Sequence, residues 1–434
     1  MQQQKTAIVW FTNTLRTRDN KALHEAISNY DKVIAIYCFD KTMFETKQFG
    51  FKKTEKYRAK FLIESVNDLS NQLKELNVPI YIHHEHPHVI LPLFCLTHNA
   101  DALFYQKEFT QEETSEINRV VEKLPDTVQV KSFYDQFLYH PEDIPINIKT
   151  IPEVFTVFRK KVEKYATIRE EVIPVAMPKE NYLENDTKIP TLQDLGYHNF
   201  EVPTKTAFPF KGGESAAFER LNSYFFSSKK LSYYKKTRNG LIGVDYSSKF
   251  SPWLAHGCIS AKSIYWEVKK YEKQFGSNQS TYWLIFELIW RDYFKYLSLK
   301  HENNLFKLEG IKELSYSWKN NERLIQNWIN GETNEPFVNA NMIELKETGW
   351  MSNRGRQNVA SYFAKELLLD WRIGAAYFES MLIDYDVHSN YGNWQYVSGV
   401  GNDPRDRKFN VQLQAERYDA NGKYQQMWLQ PTFF

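Results

Sequence analysis

Between residues 5 and 133, short apolar runs alternate with stretches of helical period, and this alternation restricts the fold more than any other feature. The runs are residues 7–11 (AIVWF), 33–39 (VIAIYCF), 80–82 (IYI), 102–105 (ALFY) and 128–133 (VQVKSF), and they read as buried strands. Between them, Leu62, Val66, Leu69, Leu73 and Leu76 recur at four-three-four-three spacing, one face of an amphipathic helix. Thr110 followed by Glu113 predicts a capping box that opens another helix, with the stripe Ile117, Val120 (or Val121) and Leu124. Such alternation requires right-handed crossovers and a parallel sheet covered on both faces. Sheets of this kind bind ligands at the C-terminal ends of their strands. The first turn, residues 12–16, lacks G-x-G-x-x-G, so no dinucleotide is expected on that loop.

The pattern then changes twice. Eight of the sixteen prolines fall within residues 134–212, where helical period is sustained only over 154–165. Phe, Tyr and Val still recur there, so the segment reads as a long linker packed against both of its neighbours. From Gly213 to about Gln430 the period is helical throughout. A chain of 434 residues exceeds one ordinary core. The expected organisation is an α/β domain over residues 1–133, a linker over 134–212 and an all-helical domain over 213–434.

A net charge of +2 excludes no class of partner, and any nucleic-acid surface must be local. Cys38, Cys95 and Cys258 show neither metal nor redox spacing, as in a reduced protein. No apolar run approaches the ~18–20 residues that cross a membrane. The first residues lack the basic, apolar and small order of an export signal, so a cytoplasmic protein is expected. His83, His84, His86 and His88 form a local cluster without a second ligand pair. A polar strand end is the plainer reading, and no metal is expected.

Chemistry-bearing residues gather in the helical part, which also holds ten of the eleven tryptophans. Residues 348–396 contain two apolar runs of helical period: Tyr362, Phe363, Leu367, Leu368 and Trp371, then Ile373, Tyr377, Phe378, Met381 and Leu382. Asn353, Arg354 and Arg356 precede them; Asp384, Asp386, Asn390 and Asn393 follow. A helical hairpin with two polar clusters at its open end can frame a pocket, where opposite charges compensate each other's burial. Upstream, Ser251 before Pro252 predicts a helix start with Ser251 as N-cap. Ser247, Ser248 and Lys249 beside it supply hydroxyls, N–H groups and a cation, the elements of a phosphate cradle. Trp283, Glu287, Trp290, Arg291 and Phe294 share one helix face, and an acid and a base among aromatics suggest a cavity wall.

Together, TRNGLIGVDYSSKFSPWLAHGCIS, FELIWRDYF, GWMSNRGRQNVASYFAKELLLDWRIGAAYFESMLIDYDVHSNYGNW and GVGNDPRDRKFN resemble the FAD-binding region of the photolyase/cryptochrome family. They are most similar to its cryptochrome-DASH branch, and the likeness covers nearly the whole chain.

The resemblance implies FAD bound in a U shape within the helical domain. Its phosphates would meet Tyr234, Ser247, Ser248, Lys249, Phe250 and Ser251. Trp283, Glu287 and Arg291 would lie beside the flavin and adenine; Arg356 and Asp384 would pair next to the isoalloxazine. Asp386 would meet the ring edge, and Asn390 would face the central-ring nitrogen. Trp394, Trp371 and Trp318 match the family's electron path from flavin to surface. The implied activity is blue-light-driven electron transfer from reduced FAD that splits cyclobutane pyrimidine dimers. Glu287 would hydrogen-bond the dimer, Asn353 would lie beside it, and Trp290 and Tyr396 would wall it. Arg354, Arg405, Arg407 and Lys408 would hold flanking phosphates. Tyr396 and Gln357 stand where ordinary dimer photolyases carry tryptophan and methionine. These polar exchanges imply a preference for single-stranded DNA, in which a dimer leaves the stack at least cost. Glu108, in YQKEFT, matches the contact to an antenna, commonly 5,10-methenyltetrahydrofolate. A monomer is expected. The alternative is a blue-light photoreceptor that signals with the same cofactor and repairs little or nothing.

Overall fold

Strands β1 (Thr6–Phe11), β2 (Lys32–Cys38), β3 (Ile80–His83), β4 (Ala102–Gln106) and β5 (Gln129–Phe133) form one parallel sheet in the order β3-β2-β1-β4-β5. They are seen in a computed structural model that describes residues 4–430. All six residues of the central β1 are buried, and Ala7 pairs with Val33 on one side and Ala102 on the other. Side chains alternate faces at period two. Ala7, Val9 and Phe11 therefore join one core, with α1 (Lys21–Asn29) and α2 (Lys56–Glu75), while Ile8 and Trp10 join another, with α3 (Pro87–Thr97) and α4 (Gln111–Val121).

On α2, Leu62, Val66, Leu69 and Leu73 are buried as their spacing predicts, and Leu76 caps the helix. On α4, Ile117 and Val120 face the core, but the capping box does not form. The Thr110 hydroxyl donates to the Glu113 carboxylate, so it caps no backbone N–H. The histidine cluster closes on acids: His86 Nδ1 lies 3.1 Å from Asp40 and His88 Nδ1 2.8 Å from Glu116.

The linker is bonded to both neighbours. The Asn181 amide exchanges hydrogen bonds with the Val33 backbone (2.9 and 3.0 Å). The buried Asp292 carboxylate accepts the backbone N–H groups of Leu138 and Tyr139 (2.8–3.0 Å). Within the linker, α5 (Phe155–Tyr165) turns Phe155, Phe158 and Val162 inward.

Beyond it come α6 (Glu214–Asn222), α7 (Tyr234–Thr237), α8 (Ser251–Ala255), α9 (Ala261–Phe275), α10 (Gln279–His301) and α11 (Glu322–Asn330). They are followed by α12 (Pro336–Thr348), α13 (Asn353–Ser361), α14 (Trp371–Met381), α15 (Val387–Ser398), α16 (Val411–Tyr418) and α17 (Lys423–Leu429). Among the described residues, the only strand-like pairing here is an isolated bridge between Lys319 and Leu369. The sheet order reverses beside β1, where ligand crevices of such sheets open. That edge is closed by the helical domain: the Leu15 N–H donates to His256 O (3.1 Å), and Phe109 stacks on His388 with centroids 4.5 Å apart. A side chain at Gly257 (φ +69) would meet the Asn13 carbonyl oxygen at 1.9 Å, so the two domains touch backbone to backbone there.

One apolar assignment in the hairpin shifts. After α13 the chain makes a single π turn, Tyr362–Glu366. The added residue slips the helical phase. Leu369 is buried, whereas Leu368, in a left-handed conformation (φ +55), is 40% exposed.

Candidate functional site

The two polar ends of the hairpin meet. Ser352 caps α13 through the Gly355 N–H (3.0 Å), which leaves Asn353 exposed at the first helical position. One turn on, Arg356 Nη2 contacts both carboxylate oxygens of Asp384 at 2.9 Å, and Nε donates to Met351 O (3.0 Å). The Asp384 side chain is 2% exposed, so the pair is a compensated buried one. Asp386 caps α15 through the Ser389 N–H (2.8 Å) and holds Lys295 Nζ of α10 at 3.0 Å. Burial pushes the Asp386 carboxyl up, but Lys295, His388 and Arg291 outweigh it and hold the group far below the usual range. The buried Asn390 amide, one turn further along α15, donates to Ala375 O of α14 (3.0 Å), which ties the two helices together.

Residues 246–251 enter from the other side. Arg220 binds the Val244, Ser247 and Ser248 carbonyls at 3.0–3.2 Å, which pins this loop. α8 opens on Ser251 itself: Phe250 holds the cap position, and the exposed Ser251 hydroxyl caps nothing. The expected N-cap is therefore one residue out, because Phe250 is already helical (φ −73, ψ −12). Lys249 has a left-handed backbone (φ +66) and is 2% exposed. Its Nζ has no hydrogen-bond acceptor and rests over the rings of Tyr246 (3.3 Å) and Trp350 (4.6 Å). Burial lowers its pKa well below the ordinary lysine value. Glu344, buried on α12 and bonded by Tyr424 Oη (2.6 Å), is raised by burial to about 7.

On α10, Glu287 is ion-paired with Arg238, and Tyr234 is buried beside them. Burial pushes the Glu287 carboxyl up while Arg238 opposes it. Trp283 lies under Lys235 Nζ (4.3 Å), and its indole N–H is buried without a partner. Arg291 is committed to backbone carbonyls, Gln136 O (2.6 Å) and Leu254 O (3.0 Å). Trp290 stacks on Phe155 (3.7 Å) and meets Tyr396 edge-on (6.4 Å). Arg407 donates to Tyr396 Oη (2.8 Å) and pairs with Asp403 (3.2 Å). Lys408 pairs with Glu366 (2.6 Å), whereas Arg405 is exposed with no side-chain ion pair among the described residues. Arg354 donates to Gln357 (2.8 Å) and Asn239 (3.2 Å) and lies over Tyr418.

Of the three tryptophans, two are buried and one reaches the surface. Trp394 is 2% exposed, Trp371 fully buried, and Trp318 partly exposed. A side chain at Gly374, one turn past Trp371, would meet the Trp394 ring at 2.2 Å, so α14 and α15 close directly on that indole. The Lys319 N–H donates to Leu368 O (2.7 Å), which brings Trp318 to the start of α14. Glu108, just past the end of β4, is close enough to Lys295 and Asp386 to feel their charges. It accepts from Gln106 (2.6 Å), and burial raises it to about 7. A cavity of about 840 Å³ beside residues 299–307 includes none of the residues expected from the sequence.

Several partners had no sequence signal. Arg238 and Glu287 are 49 residues apart, and Lys295 with Asp386 91. Glu344 sits in an apolar stretch that reads as plain core. Only Arg238 had a hint, from its basic run YKKTRNG.

A buried ammonium without a counter-ion calls for an anion. Lys249 and the unpartnered indole N–H groups of Trp283 and Trp394 fit a flavin dinucleotide, whose diphosphate and ring heteroatoms supply the missing acceptors. Residues 283–432 match the FAD binding domain of DNA photolyase, and residues 7–179 match DNA photolyase. The chain is 45% identical over 433 residues to cryptochrome DASH of Gloeobacter violaceus, covering 98% of this chain and 85% of that protein. The solved cryptochrome of Synechocystis sp. PCC6803 superposes with a TM-score of 0.93 at 41% identity, covering 99% of this chain and 89% of that one. A class III photolyase from Agrobacterium tumefaciens gives a TM-score of 0.81 at 25% identity, covering 99% of this chain and 87% of its own. The sheet, the helical site and this near-full-length identity agree: the chain belongs to the photolyase/cryptochrome family, in its cryptochrome DASH branch.

Proposed function

We propose that the protein repairs cyclobutane pyrimidine dimers under blue light, preferring single-stranded DNA. When bound, FAD supplies a light-excitable one-electron donor. The observation that carries the reading is Glu287, a carboxyl raised by burial on a wall shared with Trp283 and Trp290. Burial shifts this carboxyl toward its protonated form, which, once released from Arg238, donates a hydrogen bond to a pyrimidine carbonyl. Arg238, now paired with Glu287, is free to turn to a phosphate when Glu287 takes the lesion.

The other residues bind and orient. Lys249, with Tyr234, Ser247, Ser248, Phe250 and Ser251, receives the diphosphate; Arg356, Asp384, Asp386 and Asn390 line the isoalloxazine, with Trp283 and Arg291 opposite. Asn353 and Gln357 edge the lesion pocket, Trp290 and Tyr396 wall it, and Arg354, Arg405, Arg407 and Lys408 meet the flanking phosphates. Two of these cations are already paired with Asp403 and Glu366, so phosphate must compete for them. That weakens the hold on a stiff duplex more than on a flexible strand. Trp394, Trp371 and Trp318 carry electrons inward from the surface, their burial keeping water from the inner two. Glu108 is the contact for a 5,10-methenyltetrahydrofolate antenna, and the protein works as a cytoplasmic monomer. Among the described residues no helix is long and apolar enough to cross a membrane.

The test is restoration of thymine absorbance in dimer-bearing oligonucleotides under blue light. Rapid recovery on single strands, slower recovery on duplex and its loss in Glu287→Ala support repair. No recovery on either substrate leaves the photoreceptor reading in its place.

A further inference from the structure

One backbone outlier lines, and a second braces, a cavity between the helical domain and the segment that carries Phe49 and Phe51. Phe49 (φ +67) and Leu368 (φ +55) occupy the left-handed region, where a large side chain costs about 1–2 kcal/mol. Such strain persists only where the surroundings impose it, and it gathers at functional sites. Phe49 lines a cavity of about 450 Å³, with Phe51, Trp318, Ile325 and Ile373 as its apolar walls. The Leu368 carbonyl accepts the Lys319 N–H at 2.7 Å, which holds the segment carrying Trp318 against it. The indole N–H of Trp318 is buried and has no acceptor. The volume lies in the range of small-molecule sites, which pair apolar walls with a few polar groups. Here the polar groups are the exposed amides of Asn320 and Gln326.

We propose that this cavity binds a small neutral dihydroxyarene of the hydroquinone class, which returns an electron to Trp318 after that residue has passed one inward. The proposal rests on the tryptophan-path reading given above. An aromatic ring packs between Phe49, Phe51 and Trp318, and its hydroxyls reach the Asn320 and Gln326 amides. The charges lining the cavity largely cancel: Asp370 is paired with Arg372 (2.7 Å), and Glu322 is offset by Lys319, which leaves little to attract an ionic ligand. The step balances. One O–H bond of the reductant breaks; its electron goes to the oxidised Trp318 indole and its proton to solvent. An aryloxyl radical leaves, and the indole is restored with its N–H intact.

The test uses the flavin-loaded protein and 1,4-dihydroxybenzene as probe. In the dark, saturation-transfer NMR should show saturable binding that weakens at least tenfold in Gln326→Trp, a substitution that fills the cavity from an exposed position on α11. An unchanged melting temperature, and the same result in Asn320→Trp, separate this from misfolding. After a laser flash, decay of oxidised tryptophan should accelerate hyperbolically with probe concentration in the native protein. In Gln326→Trp the dependence should be linear and at least tenfold slower at low concentration. Equal binding in both proteins, or a linear dependence in the native one, overturns the site. If the native protein shows no tryptophan oxidation, the electron-supply role falls with the path. The dark binding arm then reports separately whether the cavity takes the ligand.

Discussion

Replacing Lys249 by methionine should move the flavin-free and flavin-loaded proteins in opposite directions. Methionine keeps the length and the β-carbon, so the cost of the left-handed backbone at φ +66 is the same in both proteins and cancels. Without flavin, the ammonium is 2% exposed and has no acceptor. An unsatisfied buried polar group costs about 1–3 kcal/mol. Burial lowers the Lys249 pKa and so favours the uncharged amine, which places the cost near the low end. The flavin-free variant should gain about 1 kcal/mol, a rise in Tm of roughly 2–4 °C for a domain near 200 residues. With flavin, the lost contact is a charge-assisted hydrogen bond to phosphate, about 1.5–3 kcal/mol. FAD should then bind roughly 10- to 150-fold more weakly. Thermal melts with and without FAD, together with flavin fluorescence titration, measure both arms. A variant that melts lower without flavin, and whose FAD affinity stays within twofold of native, would refute the reasoning.

Further consequences follow from neighbouring groups. Because binding re-protonates a depressed Lys249, FAD uptake should consume protons above that depressed value and below about pH 10.4; calorimetry in two buffers of different ionisation enthalpy detects it, and Lys249→Met should abolish it. Arg356→Met leaves Asp384 uncompensated, its side chain 2% exposed, and should cost about 3–5 kcal/mol in urea unfolding, while the double variant Arg356→Met/Asp384→Leu recovers most of that. Asp386 has a depressed folded pKa, so its stabilisation is present above the unfolded carboxyl value of about 3.9 and fades as pH falls through the folded one. The stability gap between native protein and Asp386→Asn should therefore be widest at neutral pH and close progressively below about pH 5. Trp371→Phe should leave FAD binding intact but slow photoreduction of the oxidised protein by at least tenfold, as read from flavin absorbance under blue light.

Period-based reading worked wherever one face decides burial. The five apolar runs became five strands because a parallel sheet, covered on both sides, leaves little room for polar residues. The α2 stripe was legible for the same reason. Readings that depended on one atom's direction did less well. Thr110 turned to a neighbouring carboxylate, Ser251 lost its cap to a residue already in the helical region, and a π turn moved Leu368 out and Leu369 in. Some pairing of arginine with aspartate was foreseeable, since opposite charges at the open end of one apolar hairpin cannot be buried separately; the choice of Arg356 with Asp384 came from the family resemblance. Lys295 with Asp386, and Arg238 with Glu287, were not: each joins distant segments whose approach depends on the whole helical packing.

The central claim is light-driven repair with Glu287 as the lesion's hydrogen-bond partner, on single strands before duplex. Its most direct measurement is the rate of thymine recovery from one dimer in matched single-stranded and duplex oligonucleotides, for native protein, Glu287→Gln and Glu287→Ala. The account predicts faster repair on the single strand, a modest loss in Glu287→Gln, and a loss of roughly fivefold to 150-fold in Glu287→Ala, the ~1–3 kcal/mol cost of leaving a buried partner without its hydrogen bond. Equal rates for the three proteins, or repair faster on duplex than on single strand, would contradict it.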